Sequence, residues 1–250
     1  MTRLDQHLVE TGLASSRARA KGLIEAGAVT VDGTVARKPS QAVATGVEVA
    51  VTADPCPWVS RAAFKLLHAL DEFGLNPRGV ALDVGASTGG FTEVLLARGV
   101  ARVFALDVGH GQLHPRIAAD PRVVGLEGVN ARDIPAGLVP PVDWIVADLS
   151  FISLEKALPG PLALARPGAV LVALIKPQFE AGRVHVGRGG IVRDAGVHAA
   201  VRARIRDWLE GLGWQVTGEA ASPIEGGDGN REFLIAAQKA PEGGCLKRDG

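Results

Sequence analysis

Between residues 80 and 237 the sequence carries short runs that are apolar at nearly every position: Val80 to Val84, Val103 to Leu106, Val123 to Leu126, Trp144 to Ala147, Ala169 to Ile175 and Phe233 to Ala237. A strand apolar on successive residues, rather than on alternate ones, is covered on both faces, and helix-length stretches between such strands make the sheet mainly parallel. The pattern starts near Arg61 and predicts a doubly wound α/β domain, whose binding crevice lies at the carboxyl ends of its strands. With 47% apolar residues, the 250-residue chain can fill such a core.

Before Arg61 the pattern differs. Leu4, Leu8, Leu13, Ala18, Leu23 and Ile24 recur at roughly helical spacing, interrupted by Gly12 and the cap-like pair Ser15 and Ser16, which predicts two short helices. Ala28 to Val31, Asp32-Gly33 and Thr34 to Ala36 read as a tight hairpin, because Asp-Gly tolerates the positive φ angles of a two-residue turn. A strand from Val47 to Val51 follows. A unit of about fifty residues is small for a buried catalytic site and well sized for binding. Thr52 to Pro57 holds two prolines and no apolar periodicity. The expected organisation is a binding domain over 1–53, a linker over 54–60, the α/β domain over 61–240 and a frayed tail over 241–250.

Lys plus Arg and Asp plus Glu both number 27, so attraction to nucleic acid must come from a local basic cluster. Cys56 and Cys245, read as linker and tail residues, offer neither a disulfide framework nor a zinc site, which fits a reducing, cytoplasmic setting. No apolar run approaches the ~18–20 residues needed to cross a bilayer, and Met1-Thr2-Arg3-Leu4-Asp5 does not open a signal peptide. His110 and His114 are four apart and could share a helix face, but they lack a third ligand, so they are read as structural and no metal is expected.

The strand Val80 to Val84 runs into Gly85-Ala86-Ser87-Thr88-Gly89-Gly90 and a helix starting near Phe91, an arrangement that lets backbone amides approach a nucleoside-like ligand. A nicotinamide fingerprint would have glycine where Ser87 stands, and Asp83 at the strand end would repel a pyrophosphate. No Lys-Ser or Lys-Thr follows the glycines, which excludes a P-loop. A sulfonium and an ammonium suit that acid, so S-adenosylmethionine is the expected cofactor. Asp107, at the end of the next strand, is placed to accept hydrogen bonds from ribose hydroxyls.

Charged residues stand at further strand ends: Asp148 after Trp144 to Ala147, Lys176 after Ala169 to Ile175, and Glu232 before Phe233 to Ala237, while Lys65 lies on the first helix of the domain. Ser60-Arg61-Ala62-Ala63-Phe64-Lys65-Leu66 resembles the opening motif of FtsJ-type RNA 2'-O-methyltransferases, and Lys65, Asp148, Lys176 and Glu232 match their Lys-Asp-Lys-Glu tetrad. Gly85 to Thr92, Asp148 to Ser153 and Lys176 to Glu180 further resemble the TlyA, or hemolysin A, family of ribosomal RNA cytidine 2'-O-methyltransferases. Arg3-Leu4-Asp5, Ser16-Arg17 and Lys38-Pro39-Ser40 are similar to the RNA-binding domain shared with ribosomal protein S-four. Cys56-Pro57-Trp58-Val59 keeps the Trp-Val of a tetrapeptide that the family carries between its domains and has proline in place of its small residue.

The resemblance implies a Rossmann-like domain with a mainly parallel seven-stranded sheet, preceded by a small α+β RNA-binding domain. It implies catalysis by Lys65, Asp148, Lys176 and Glu232, and cofactor contacts at Asp83, Gly85, Ser87, Thr88, Gly89, Gly90, Phe91, Asp107, Val108, Asn130 and Asp148. The expected substrate is a cytidine ribose of 16S or 23S ribosomal RNA, or both, within assembled subunits, the enzyme acting as a monomer with a homodimer left open. Like charge and desolvation both disfavour an ammonium, so Lys176 near Lys65 is the candidate to take the 2'-hydroxyl proton, with Asp148 and Glu232 orienting it. For RNA the candidates are Arg3, Arg17, Arg19, Lys21, Lys38, Arg61 and Arg188, supported by Arg37, Arg183, Arg193, Arg202 and Arg206. The alternatives are a membrane-lytic protein, as the name hemolysin suggests, a nicotinamide-dependent oxidoreductase and a non-catalytic RNA-binding protein.

Overall fold

A computed structural model describes residues 2–14, 16–44, 46–52, 56–226 and 228–241, and its internal contacts divide the chain between Ser60 and Arg61. Ser15, Asp54, Pro55, Cys245 and the tail after Pro241 lie outside the described residues, as does the side chain of Ala18.

The first unit runs β1 (Thr2–Arg3), α1 (Leu4–Glu10), α2 (Arg17–Glu25), β2 (Val29–Val31), β3 (Thr34–Val35), β4 (Ala42–Val43) and β5 (Val49–Val51). α2 starts where the Ser16 hydroxyl accepts the Arg19 N–H at 3.2 Å. Asp32 and Gly33 take φ of 46° and 74°, the mirror-image turn expected of Asp-Gly between β2 and β3. β5 begins two residues later than expected, because the Glu48 N–H is taken by the Asp32 side chain at 3.0 Å. The antiparallel pair β1 and β4 has two residues in each strand, too few to leave a periodic signature. Leu4, Leu8, Leu23, Ile24 and Val29 form the buried centre of this unit.

The segment read as a linker is less open than its prolines suggest. Cys56 is buried; its thiol donates to the Trp58 carbonyl at 3.4 Å, and its own carbonyl accepts a bond from Arg19 at 2.7 Å.

The second unit comprises α3 (Ala62–Glu72), β6 (Val80–Val84), α4 (Gly90–Ala97), β7 (Arg102–Asp107), α5 (Pro115–Ala118), β8 (Val123–Glu127), β9 (Val142–Ala147), α6 (Leu154–Ala157), α7 (Pro159–Ala163), β10 (Ala165–Ile175), α8 (Pro177–Glu180), α9 (Ala195–Gly211), β11 (Trp214–Ala221) and β12 (Phe233–Lys239). The sheet order is β11-β12-β10-β9-β6-β7-β8, and β12 alone runs against its neighbours. β11 escapes a search for continuous apolar runs because Gln215, Thr217 and Glu219 alternate with Trp214 and Val216, the pattern of an edge strand.

Strand register places the site. Val84 is opposite Leu106 and Ala147, and Ala147 is opposite Ala173, so the residues following β6, β7, β9 and β10 emerge along one edge. Ile175 pairs with Phe233, so the reversed β12 begins at that same edge and brings Glu232 beside Lys176.

Candidate active site

On α3, Ala63, Leu66 and Leu70 pack into the core at helical spacing, and Lys65 shares that buried side. A lysine there requires partners, and they come from distant strand ends. Lys65 Nζ donates to Glu232 Oε2 at 2.6 Å and lies 3.6 Å from Asp148 Oδ2. Lys176 Nζ stands 2.6 Å from Asp148 Oδ1 and donates to Ser150 Oγ at 3.0 Å. The result is an alternating row, Glu232, Lys65, Asp148, Lys176, with Ser150 at its end. Lys65, Lys176 and Glu232 are buried, and Asp148 separates the two ammonium groups, so the neighbour charge felt first by Lys176 is a carboxylate and not, as expected from sequence, the other lysine.

Beside this row lies the glycine loop. A Cβ on Gly85 would fall 2.8 Å from the Asp148 carbonyl oxygen, and one on Gly89 would fall 2.9 Å from Leu113 Cδ1; both residues have positive φ, so glycine is needed twice over. Ser87 adopts φ 46°, and its N–H donates to Asp107 Oδ2 at 2.8 Å, while Asp107 Oδ1 accepts the Gly109 N–H at 2.8 Å. Asp107 thus clamps the loops after β6 and β7 together. Asp83 is fully buried; the Thr92 hydroxyl donates to its Oδ2 at 2.6 Å and its Oδ1 has no partner. Burial, reinforced by the charges of Asp148 and Asp107 and opposed by Thr92, pushes the Asp83 carboxyl up to about 7.

Thr88 and Gly90 complete the turn into α4; the Phe91 ring is buried, leaving its backbone N–H, one of the helix-initial donors without an intrahelical partner. Val108, just past β7, is exposed. Asn130 is exposed and caps a short turn after β8 by accepting the Arg132 N–H at 3.0 Å. His110 and His114 do not share a helix: His110 precedes α5, and His114 caps its start by accepting the Arg116 N–H. Among the described residues no group of three or more His, Cys, Asp or Glu is placed to hold a metal ion.

The FtsJ-like methyltransferase family matches residues 58–239, and the S4 domain matches residues 2–49. The chain belongs to the FtsJ-like methyltransferase family. Among its relatives, the 16S/23S rRNA (cytidine-2'-O)-methyltransferase TlyA of Mycobacterium tuberculosis is 48% identical over 93% of this chain and 88% of its own length. Hemolysin A of Brachyspira hyodysenteriae is 38% identical over 93% and 98%. A solved structure from Streptococcus thermophilus, named for hemolysin, superposes with a TM-score of 0.74 at 37% identity, covering 96% of this chain and 88% of that one. The chain is thus a member of the TlyA group, an FtsJ-like domain preceded by an S4 domain.

In this FtsJ-like chain the RNA candidates are scattered. In the S4 unit Arg3 and Arg17 converge on the buried Asp5, at 3.0 and 2.9 Å, and present their outer faces to solvent. Arg19 is turned onto the Cys56 carbonyl, and Lys21 pairs with Glu25 at 3.7 Å. Arg37 and Lys38 are exposed after the hairpin rather than on it. Arg61 is exposed at the start of α3. Arg183 and Arg188 are exposed in short turns between α8 and α9. Arg202 and Arg206 both pair with Glu219, which occupies them structurally.

Four site features were missed from sequence. Asn230 is buried and clips the Arg188 segment to the approach of β12, accepting the Val192 N–H and donating to the Gly190 carbonyl, each at 3.0 Å. Glu180 is buried and accepts the Leu154 N–H at 2.8 Å, with Arg204 3.2 Å away, tying the stretch after Lys176 to the stretch after Asp148. Phe151 has φ 66° and is 90% exposed, yet its ring meets Phe179 at 5.1 Å. Ser150 is the fourth. Of these only Phe151 carries a recognisable signal, the one aromatic residue in the stretch Asp148 to Ser153.

Proposed function

We propose that this chain methylates the ribose 2'-hydroxyl of a cytidine in ribosomal RNA of ribosomal subunits, with S-adenosylmethionine as donor. The observation that carries this reading is the buried row Glu232, Lys65, Asp148, Lys176 at the sheet edge beside an acidic glycine loop. The relatives named for cytidine 2'-O-methylation of ribosomal RNA support the substrate.

The crevice fits a cationic nucleoside donor on its own chemistry. Gly85 and Gly89 let the loop turn tightly against Asp148 and Leu113, Asp83 has an unpartnered buried oxygen, and Asp107 stands at the neighbouring strand end. These residues, with Ser87, Thr88, Gly90, the Phe91 N–H, Val108 and Asn130, would hold the donor. Bound there, S-adenosylmethionine supplies a methyl group activated by its sulfonium.

The protein's tasks are to place the acceptor oxygen and remove its proton. Lys176 takes the proton of the 2'-hydroxyl. Asp148 stands between Lys176 and Lys65 and contacts both, while Glu232 fixes Lys65, so that the row brings positive charge to the developing alkoxide. The exposed Phe151 ring gives a flat surface at the rim on which a base of the target strand stacks, a contact worth ~1–3 kcal/mol. Arg3 and Arg17, held by Asp5, with Arg37, Lys38, Arg61 and Arg188, contact phosphates.

Purified chain incubated with labelled donor and isolated ribosomal subunits tests the whole reading. Digestion and mass spectrometry should find the label on 2'-O-methylcytidine. Label on a base, or none in either subunit, would overturn it.

A further inference from the structure

A neutral primary amine carries two N–H bonds and one lone pair in tetrahedral array, and only the lone pair can accept a proton. Ser150 Oγ, at 3.0 Å, accepts one N–H of Lys176. Asp148 Oδ1 lies 2.6 Å from the same nitrogen and attracts it by charge, without a hydrogen bond. The Ser150 bond therefore fixes the rotation about the Cε–Nζ bond and turns the lone pair away from the serine. Without that acceptor the amine can turn an N–H toward the ribose oxygen, and the base becomes a donor.

The local backbone holds Ser150 in place. It follows Asp148 by two residues, the chain turns at Phe151 through a left-handed φ of 66°, and the Phe151 ring contacts Phe179 on the helix that Lys176 leads into. Exposure supplies the second part of the argument. Lys176, Lys65 and Glu232 are buried, whereas Ser150 is exposed. Methylation of a hydroxyl releases one proton, which arrives on a lysine that solvent barely reaches.

We infer that Ser150 is a positioning residue for Lys176, its hydroxyl oxygen aiming the lone pair at the substrate and its hydroxyl proton relaying the released proton to water. The balance closes: the O2'–H bond breaks as an Nζ–H bond forms, the oxygen takes the methyl group, and the extra Nζ proton then passes to Ser150 Oγ as the serine's own proton passes to water. Ser150 ends as it began. This inference rests on Lys176 being the base.

The test uses the full chain with ribosomal subunits and compares Ser150→Ala, Ser150→Thr and Lys176→Ala under single-turnover conditions. Ser150→Ala should lower the transfer rate about 10- to 100-fold, less than the ~100- to 10,000-fold ascribed to a positioned proton acceptor itself, because the base remains. Its RNA KM and donor Kd should stay within about twofold of the parent, because Ser150 binds neither. Ser150→Thr, which restores the hydroxyl, should recover the rate to within about threefold. A Ser150→Ala rate within about twofold of the parent, a matching rise in KM, or no recovery with threonine would overturn the inference while leaving the reading of Lys176 intact. An active Lys176→Ala protein would overturn that reading itself, and this inference with it.

Discussion

Two buried carboxylates, one in each unit, are driven in opposite directions. Asp5 receives hydrogen bonds from Arg3 and then Arg17, and these hold its carboxyl well below the usual range even though burial opposes them. Asp83 has only the Thr92 hydroxyl, and burial pushes it up to about 7. The cations follow the same division: the N-terminal unit shows guanidinium groups to solvent on an anionic anchor, whereas the catalytic unit buries ammonium groups between acids. Guanidinium keeps its proton under all ordinary conditions and matches phosphate geometry, whereas lysine can give its proton up. A permanent charge suits a surface that holds RNA, and a dischargeable one suits a site that moves protons.

The strongest way to break this comparison is to put the permanent cation where the dischargeable one stands. Lys176→Arg keeps the charge beside Asp148 and should still lower single-turnover transfer about 100- to 10,000-fold, the range for a lost general base, with donor affinity nearly unchanged in calorimetry. An active arginine variant would mean that position 176 needs only charge.

Asp5→Asn sharpens the other side. Removing an anion beside two arginines makes the surface more positive, which by charge alone would strengthen RNA binding. If orientation by Asp5 dominates, affinity falls instead, by about 5- to 10-fold, because the arms lose their preorganisation. The salt dependence stays the same, since no phosphate-contacting cation has been removed, whereas Arg17→Ala should lower the slope by about 1. Equilibrium binding across a salt series measures both, and tighter binding by Asp5→Asn would reduce the arginines to mobile charges.

The smallest effect concerns Asp83. Its folded-state carboxyl is raised above its unfolded value, so its contribution to stability is fully present at low pH and is lost as pH rises through about 7. A cation bound nearby favours the ionised form, so donor affinity should grow about threefold between pH 6 and pH 8, with proton release on binding. Calorimetry in buffers of different ionisation enthalpy reads that release. Asp83→Asn should abolish it and flatten the pH dependence of the melting temperature.

The sequence disclosed most about positions where chain direction and chemistry coincide. Val80 to Val84 is continuous in apolarity and ends in glycines, and charged residues stop the runs at Asp148 and Lys176, so the sheet edge was readable before any coordinates. Glu232 was legible as the charge before the run Phe233 to Ala237, whereas that Lys65 joins that edge came from family resemblance, since nothing local marks a lysine on an amphipathic helix as buried. What escaped depended on partners remote in sequence. Arg202 and Arg206 read as an RNA face until β11 supplies Glu219, and Cys56 reads as linker until the Arg19 side chain reaches its carbonyl. Ser150 looks like an ordinary serine in a loop, and only the distance to a side chain 26 residues away gives it a task.

The reversed final strand has a consequence for the timing of synthesis. β12 slots between β10 and β11, both made before it, and delivers the carboxylate that meets Lys65 across 167 residues of sequence. Contacts that distant form slowly, after loop closure has been met. A nascent chain still lacking that strand would leave Lys65 with Asp148 alone and without its closer partner Glu232, so the row is completed by the last described strand of the domain to leave the ribosome.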